Sequence, residues 1–88
     1  GDAYYRMGLA FNSQNQSYNA ISNLLISEII YHKTMKMKLF ENVQTKLKSL
    51  FDKYQTERKE FRDLQLPKTL KGYDINQRKN QIRTSKEK

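Results

Sequence analysis

Apolar residues recur at steps of mostly three or four between Tyr18 and Leu66, the spacing of one face of a helix. The stretch contains no Gly and no Pro, and Lys, Leu, Glu and Gln, which favour helices, are common in it. The recurring positions are Tyr18, Ile21, Leu25, Ile29, Leu39, Val43, Leu47, Leu50, Tyr54, Phe61 and Leu64. The pattern predicts one long helix over about residues 18–65, roughly 70 Å long.

A shorter helix is predicted before it, over about residues 2–12, because Tyr4, Met7 and Phe11 fall on one helical side. The polar run "NSQNQS" at residues 12–17 then interrupts the apolar pattern. We predict a break or kink there, with an unbroken polar segment of one longer helix as the alternative. Ser13 and Ser17 are candidate caps for the next helix.

The end of the long helix is marked by Pro67 and then Gly72. After them, residues 67–88 carry seven Lys or Arg against two Asp or Glu. We expect a turn and a flexible basic tail, or the first turns of a helix that needs a partner. The predicted division is a helical coiled-coil module at residues 1–66 and this tail. Because the first residue is Gly and not Met, we also expect a fragment or a processed chain. The module at residues 1–66 is expected to be part of a larger bundle.

Residues 20–31 are apolar on every side of the predicted helix, whereas residues 39–64 keep mainly one apolar side. A helix that is apolar all round must be covered all round. The rest of the chain looks too short and too polar to do this, so we expect a second copy or another helical chain to provide the cover. The fold class predicted is all-α, an elongated antiparallel helical bundle or coiled coil. The expected oligomer interface consists of Ile21, Leu24, Leu25, Ile29, Ile30, Leu39, Val43, Leu47, Leu50 and Tyr54.

Composition adds a partner class and argues against an enzyme. The chain has 88 residues and a formal net charge of +8, which favours anionic partners such as lipid headgroups, nucleic acid or an acidic protein. It has no Cys, no phosphate-binding glycine loop and one histidine. His32 lies one turn after Glu28, and we interpret this pair as a structural feature of a helix seam. No catalytic residue, metal or cofactor is expected.

Two smaller features bear on the expected partner. Met35 and Met37 flank Lys36, where an adaptable binding groove and ordinary core packing are both conceivable, and we favour core packing. Tyr54 and Tyr73 come nearest to a base-stacking arrangement beside basic residues, which is a weak indication of nucleic-acid binding.

The beginning of the chain resembles a tetratricopeptide repeat over residues 3–24. Tyr4, Met7, Gly8, Phe11 and Ala20 stand where that repeat has its aromatic, Leu-Gly, aromatic and small residues. The resemblance implies two short antiparallel helices that pack together, and a helical-repeat adaptor that binds protein.

The layout of the whole chain is similar to part of a BAR domain of the sorting-nexin type. The runs that carry the similarity are "GDAYYRMGLAF", "YHK…LF…Q…L…KYQTERKEF" and "RDLQLPKTLKG". The resemblance implies an antiparallel dimer of three-helix coiled coils that binds membrane through basic side chains, with "RDLQLPKTLKG" as the turn at the tip of an arm. The residues implied are Lys46, Lys48, Lys53, Arg58, Lys59, Arg62, Lys68 and Lys71.

The function expected from the sequence is therefore a non-enzymatic helical scaffold in membrane trafficking. It would oligomerise through a coiled-coil seam and bind anionic membrane. Its expected location is cytoplasmic, peripheral on endosomal or other membranes. The alternatives are a small basic subunit of a large assembly such as a ribonucleoprotein, and the tetratricopeptide-like adaptor.

Overall fold

The computed structural model describes residues 2–61, 64 and 66–71, and these residues form helices and turns without a strand. Three α-helices follow one another: α1 at Asp2–Ser13, α2 at Ser17–Lys33 and α3 at Met37–Tyr54. Two short 3₁₀ turns, Arg58–Phe61 and Lys68–Leu70, come after them. The all-α class is confirmed, and so are the short first helix and the break near residues 12–17. Predictions about residues 72–88 lie outside the described residues.

The prediction of one long helix is wrong. The chain leaves the helix after Lys33, starts α3 at Met37, and ends α3 at Tyr54. At the first of these points the Lys36 N–H donates to the Tyr31 carbonyl (2.9 Å) and the Met35 N–H to the His32 carbonyl (3.2 Å). Met35 adopts a left-handed backbone with φ 61°. These two bonds and the left-handed residue form a Schellman motif, which reverses the chain and satisfies the last carbonyls of α2.

The reversal is favourable because it lays the apolar face of α3 onto α2. Phe40, Val43, Leu47 and Leu50 are all buried in the core. The apolar steps of three and four predicted the helical faces correctly on both sides of residues 34–36. What they could not reveal was the change of direction, since neither Gly nor Pro marks it.

Helix α2 lies between α1 and α3 and packs against both. Its remaining side is covered by the segment that follows α3, here called the return segment and defined as residues 58–61 and 66–71. Phe61 and Leu70 of this segment are buried. A helix that is apolar all round is therefore covered on several sides by one chain.

The inference that other chains must cover residues 20–31 is therefore wrong. Ile21 and Leu24 have no exposed surface and Leu25 is 5% exposed within a single chain. The rest of the chain was expected to be too short and too polar to cover this helix. It does cover it, because α1, α3 and the return segment each pack on a different side of α2.

The contact between α1 and α2 depends on Gly8. A Cβ atom built on Gly8 would lie 2.7 Å from Leu24 Cγ and 3.1 Å from the Ala20 carbonyl oxygen. The glycine therefore allows the two helices to approach closely.

The turn that connects α1 to α2 is a second Schellman motif, in which the Gln16 N–H donates to the Phe11 carbonyl (3.0 Å) and Asn15 is left-handed. The expected serine caps are absent: Gln16 is the cap residue of α2, and the Ser13 hydroxyl donates to the Ala10 carbonyl.

Candidate anionic-surface site

The turn between α2 and α3 exposes apolar and basic side chains together. Met35 is 63% exposed and Met37 39% exposed, so the expectation that the methionines pack in the core is wrong. Lys33, Lys36 and Lys38 alternate with them and are exposed as well. Residues 29–40 contain no Asp and no Glu. The turn therefore presents positively charged and apolar side chains at the same place.

The return segment adds two more lysines at this end of the molecule. The Lys33 ammonium donates a 2.6 Å hydrogen bond to the Thr69 carbonyl, which places the Lys68–Leu70 turn beside the end of α2. Leu70 is buried and anchors the turn, while Lys68 and Lys71 remain exposed. We call Lys33, Met35, Lys36, Met37, Lys38, Lys68 and Lys71 the turn surface.

Asp2 is the acidic residue that α1 brings to the same end, and it is already engaged. The Tyr31 hydroxyl donates to Asp2 Oδ1 at 2.6 Å. This hydrogen bond, with a smaller contribution from the Lys36 charge, lowers the pKa of Asp2. Burial, and then the bond to Asp2, raises the pKa of Tyr31 to about 12. At neutral pH the pair is a carboxylate and a neutral phenol, and the lysines outnumber this carboxylate.

A small cleft opens beside the turn surface, where the N-terminal parts of α1 and α3 lie over the end of α2. Its volume is about 60 Å³. It is lined by Tyr5, Tyr31, Leu39, Asn42 and Val43. The cleft is mainly apolar, so it extends the apolar surface of the turn.

The basic residues expected to bind an anionic surface are divided by the fold. Lys68 and Lys71 belong to the turn surface. Lys48 is exposed and Lys46 half-buried along α3, away from the turn, and Arg62 lies outside the described residues. Lys53 donates to Asn12 Oδ1 (3.1 Å) and Lys59 pairs with Glu57 (3.1 Å).

Arg58 has a structural contact instead. Its guanidinium donates hydrogen bonds to both carboxylate oxygens of Glu28, at 2.8 and 3.1 Å, and the Glu28 side chain is 3% exposed.

His32, one turn further along α2, is buried, and its ring lies 5.0 Å from the ring of Phe40. Within the described residues, no group of three or more His, Asp or Glu side chains is placed to hold a metal ion.

The residues expected at an oligomer interface lie mostly inside this one chain. Ile29, Ile30 and Tyr54 are half-buried and Leu39 is 39% exposed. The others are buried in the core: Ile21, Leu24, Leu25, Val43, Leu47 and Leu50. Among the residues expected at the interface, Leu39 is therefore the one that the fold leaves exposed.

The basic residues expected from the sequence did not include Lys33, Lys36 and Lys38, because the predicted long helix ran through these positions without a turn. The available signal was the run "KTMKMK", in which lysine and methionine alternate without an acidic residue. In a helix such a run is spread around the axis. At a chain reversal the same side chains gather at one end of the bundle.

No described helix combines the length and the hydropathy needed to cross a lipid bilayer. Comparisons of the chain with protein-family models, with curated proteins and with solved structures found no match.

Proposed function

We propose that this chain is a non-enzymatic binding module that attaches to anionic lipid membrane through the turn surface. The observation that carries the proposal is the exposure of Met35 and Met37 among lysines at one end of a closed helical bundle. It keeps the membrane-binding hypothesis drawn from the sequence, and it moves the contact from the length of a long helix to the α2–α3 turn.

Lysines supply the attraction to the surface. A lysine near an anionic leaflet contributes about 1 kcal/mol, so the five lysines of the turn surface would together contribute about 5 kcal/mol. Lys33, Lys36 and Lys38 come from one turn, and the Lys33 bond to Thr69 holds Lys68 and Lys71 next to it. The charge is concentrated within a patch that one end of the bundle can present to a flat surface.

Methionines favour lipid over nucleic acid as the anionic partner. Their side chains can enter the boundary between headgroups and acyl chains, where burial of apolar surface is favourable. A nucleic acid offers bases that stack on open aromatic faces, and at this end the rings of Tyr31 and Phe40 are buried. The partner that fits both side-chain types is a membrane with negative headgroups.

Co-sedimentation with vesicles tests the proposal. We expect the protein to pellet with phosphatidylcholine vesicles that contain phosphatidylserine and to remain in solution with phosphatidylcholine alone. Lys33→Glu/Lys36→Glu/Lys38→Glu should reduce the binding constant about a hundredfold or more, because three attractive charges are reversed. Met35→Ser/Met37→Ser should weaken binding while leaving its salt dependence unchanged.

The matched control is Lys46→Glu/Lys48→Glu/Lys53→Glu, which makes the same change of charge on α3. It should retain most of the binding, whereas the BAR-like hypothesis predicts that it abolishes binding. Equal pelleting with neutral vesicles would contradict the proposal. So would tighter binding to single-stranded RNA that is insensitive to Met35→Ser/Met37→Ser, which would point to the ribonucleoprotein alternative.

A further inference from the structure

The α2–α3 turn places a methionine where the backbone is left-handed. Met35 has φ 61°, a conformation that costs an ordinary side chain on the order of 1–2 kcal/mol relative to a right-handed helix. Residues 34–36 are the whole connection between the two helices, and they contain neither Gly nor Asn. Short hinge loops under strain favour exchange of the elements that they connect.

The apolar pattern also runs across this turn. In a straight helix, Met35 and Leu39 would fall on the same side as Ile21, because they follow it by about four and five helical turns. In the closed chain both Met35 and Leu39 are exposed. Straightening the turn would place them on an apolar seam.

The other two left-handed turns do not share these features. Asn15 tolerates the left-handed region well, and the polar residues 12–17 interrupt the apolar pattern around it. Gln55 is followed by a four-residue 3₁₀ turn and not by an α-helix. Within the described residues, a left-handed apolar residue and a helical spacing that continues through the turn coincide only at residues 34–36.

We propose that residues 34–36 act as a hinge and that two copies of this chain form an exchanged dimer. In each copy α2 and α3 join into one helix over residues 17–54, so that α3 and the return segment pack on the partner copy. The contacts that hold α3 and the return segment to α2 in one chain are then made between copies. They include the core contacts, the pair of Arg58 with Glu28 and the bond from Lys33 to Thr69.

The balance between the closed chain and the exchanged dimer is set at the hinge. The packing contacts are equivalent in the two forms, so they favour neither. The dimer replaces two left-handed methionines by helical ones and covers Met35 and Leu39, and it loses the freedom of two independent molecules. The dimer therefore forms as concentration rises. This inference does not rest on lipid binding.

Complementary charge reversals across the Glu28–Arg58 pair test the exchange. In a closed chain, Glu28→Arg and Arg58→Glu each place two like charges together. In an exchanged dimer with one copy of each variant, the reversed position of each copy meets an opposite charge on the other. Refolding the two variants together should give a heterodimer, seen by native mass spectrometry, that exceeds both homodimers at least about tenfold. If the single variants do not fold alone, recovery of helical signal on mixing is the readout.

The double variant Glu28→Arg/Arg58→Glu is the control, since it restores an opposite pair within one chain. A mixture of the single variants that yields no heterodimer and no recovery, while the double variant is folded, would overturn the proposal.

A second measurement needs no charge reversal. Sedimentation equilibrium should show a concentration-dependent dimer of the natural chain. Met35→Gly should weaken dimerisation on the order of a hundredfold, because glycine relieves the closed turn and destabilises the straight helix in both copies. Asn15→Gly, the same change at the α1–α2 turn, should leave it unchanged. A natural chain that remains monomeric up to about 1 mM would overturn the proposal.

Discussion

At the scale of single residues, Gly8 and Leu24 determine how closely α1 approaches α2. Gly8 lies in the interior of α1, where glycine is an unfavourable choice for a helix by about 1 kcal/mol. Its position is explained by the close contact: a methyl group there would meet both Leu24 Cγ and Leu24 Cδ2 at less than 3.0 Å. At this position, close packing between the two helices outweighs the higher helix propensity of alanine.

The substitution Gly8→Ala should therefore destabilise the fold although it raises helix propensity. Overpacking costs about 1–3 kcal/mol and the gain in propensity returns about 1 kcal/mol of it, so we expect a net loss of up to about 2 kcal/mol. Urea unfolding followed by circular dichroism measures this. Ala10→Gly, at an exposed position of the same helix, measures the difference in helix propensity between alanine and glycine without a change in packing. A Gly8→Ala chain that is more stable than the natural one would show that α1 does not pack as described.

At the scale of elements, two tyrosines join the ends of α1 to its neighbours. Tyr31 at the end of α2 donates to Asp2 at the start of α1, and Tyr54 at the end of α3 donates to Asn12 Oδ1 (2.7 Å) at the end of α1. The two bonds are similar in length but differ in chemistry, since a carboxylate titrates and an amide does not. Comparing the two bonds therefore separates the effect of pH on stability from the general effect of losing a tyrosine hydrogen bond.

The Tyr31–Asp2 bond should make stability depend on pH at the acid end. Because the folded-state pKa of Asp2 is lowered, its contribution is present above the unfolded value near 3.8 and is lost as pH falls through the lower folded value. Tyr31→Phe should flatten the dependence of the urea midpoint on pH below about 4. Tyr54→Phe should lower the midpoint without changing that slope. Identical slopes in all three proteins would rule out the contribution of Asp2.

The same bond predicts a second change at alkaline pH. The pKa of Tyr31 is raised to about 12 from 10.0, so its contribution is complete below pH 10 and is lost as pH rises towards 12. Absorbance of ionised tyrosine should therefore include a titration step near pH 12, and Tyr31→Phe should remove this step.

At the scale of the whole molecule, the return segment completes the cover of α2. Arg58 brings a charged group to the nearly buried Glu28 carboxylate, Phe61 packs 5.4 Å from the ring of Tyr18, and Leu70 is buried. These contacts close the bundle around its central helix. They also hold Lys68 and Lys71 at the turn surface, so the same packing that stabilises the fold assembles the proposed membrane contact.

Loss of Arg58 should therefore destabilise the molecule more than loss of an ordinary surface lysine. Arg58→Ala leaves the Glu28 carboxylate buried without its partner, and we expect a cost of about 1–3 kcal/mol, reduced from fully buried cases because the arginine is half exposed. Lys59→Ala breaks an exposed pair with Glu57 and should cost less than about 0.5 kcal/mol. Equal effects of the two substitutions on the urea midpoint would show that the return segment does not dock through Arg58.

Much of the local structure could be predicted from the sequence. The apolar steps identified helices, and they identified the core positions Ile21, Leu25, Val43, Leu47 and Leu50. The polar run at residues 12–17 indicated the first turn. The turn surface could not be predicted, because its lysines and methionines come together only where the chain reverses.

The sequence by itself determined that the chain is helical, which face of each helix is apolar, and that α2 must be covered on every side. Only the tertiary structure decided that one chain provides that cover. The physical reason is that helical periodicity is local, within a few residues, whereas the reversal at residues 34–36 is decided by distant contacts. Burial of α3 and the return segment on α2 outweighs the cost of a left-handed Met35. No Gly or Pro at residues 34–36 indicates the reversal in the sequence.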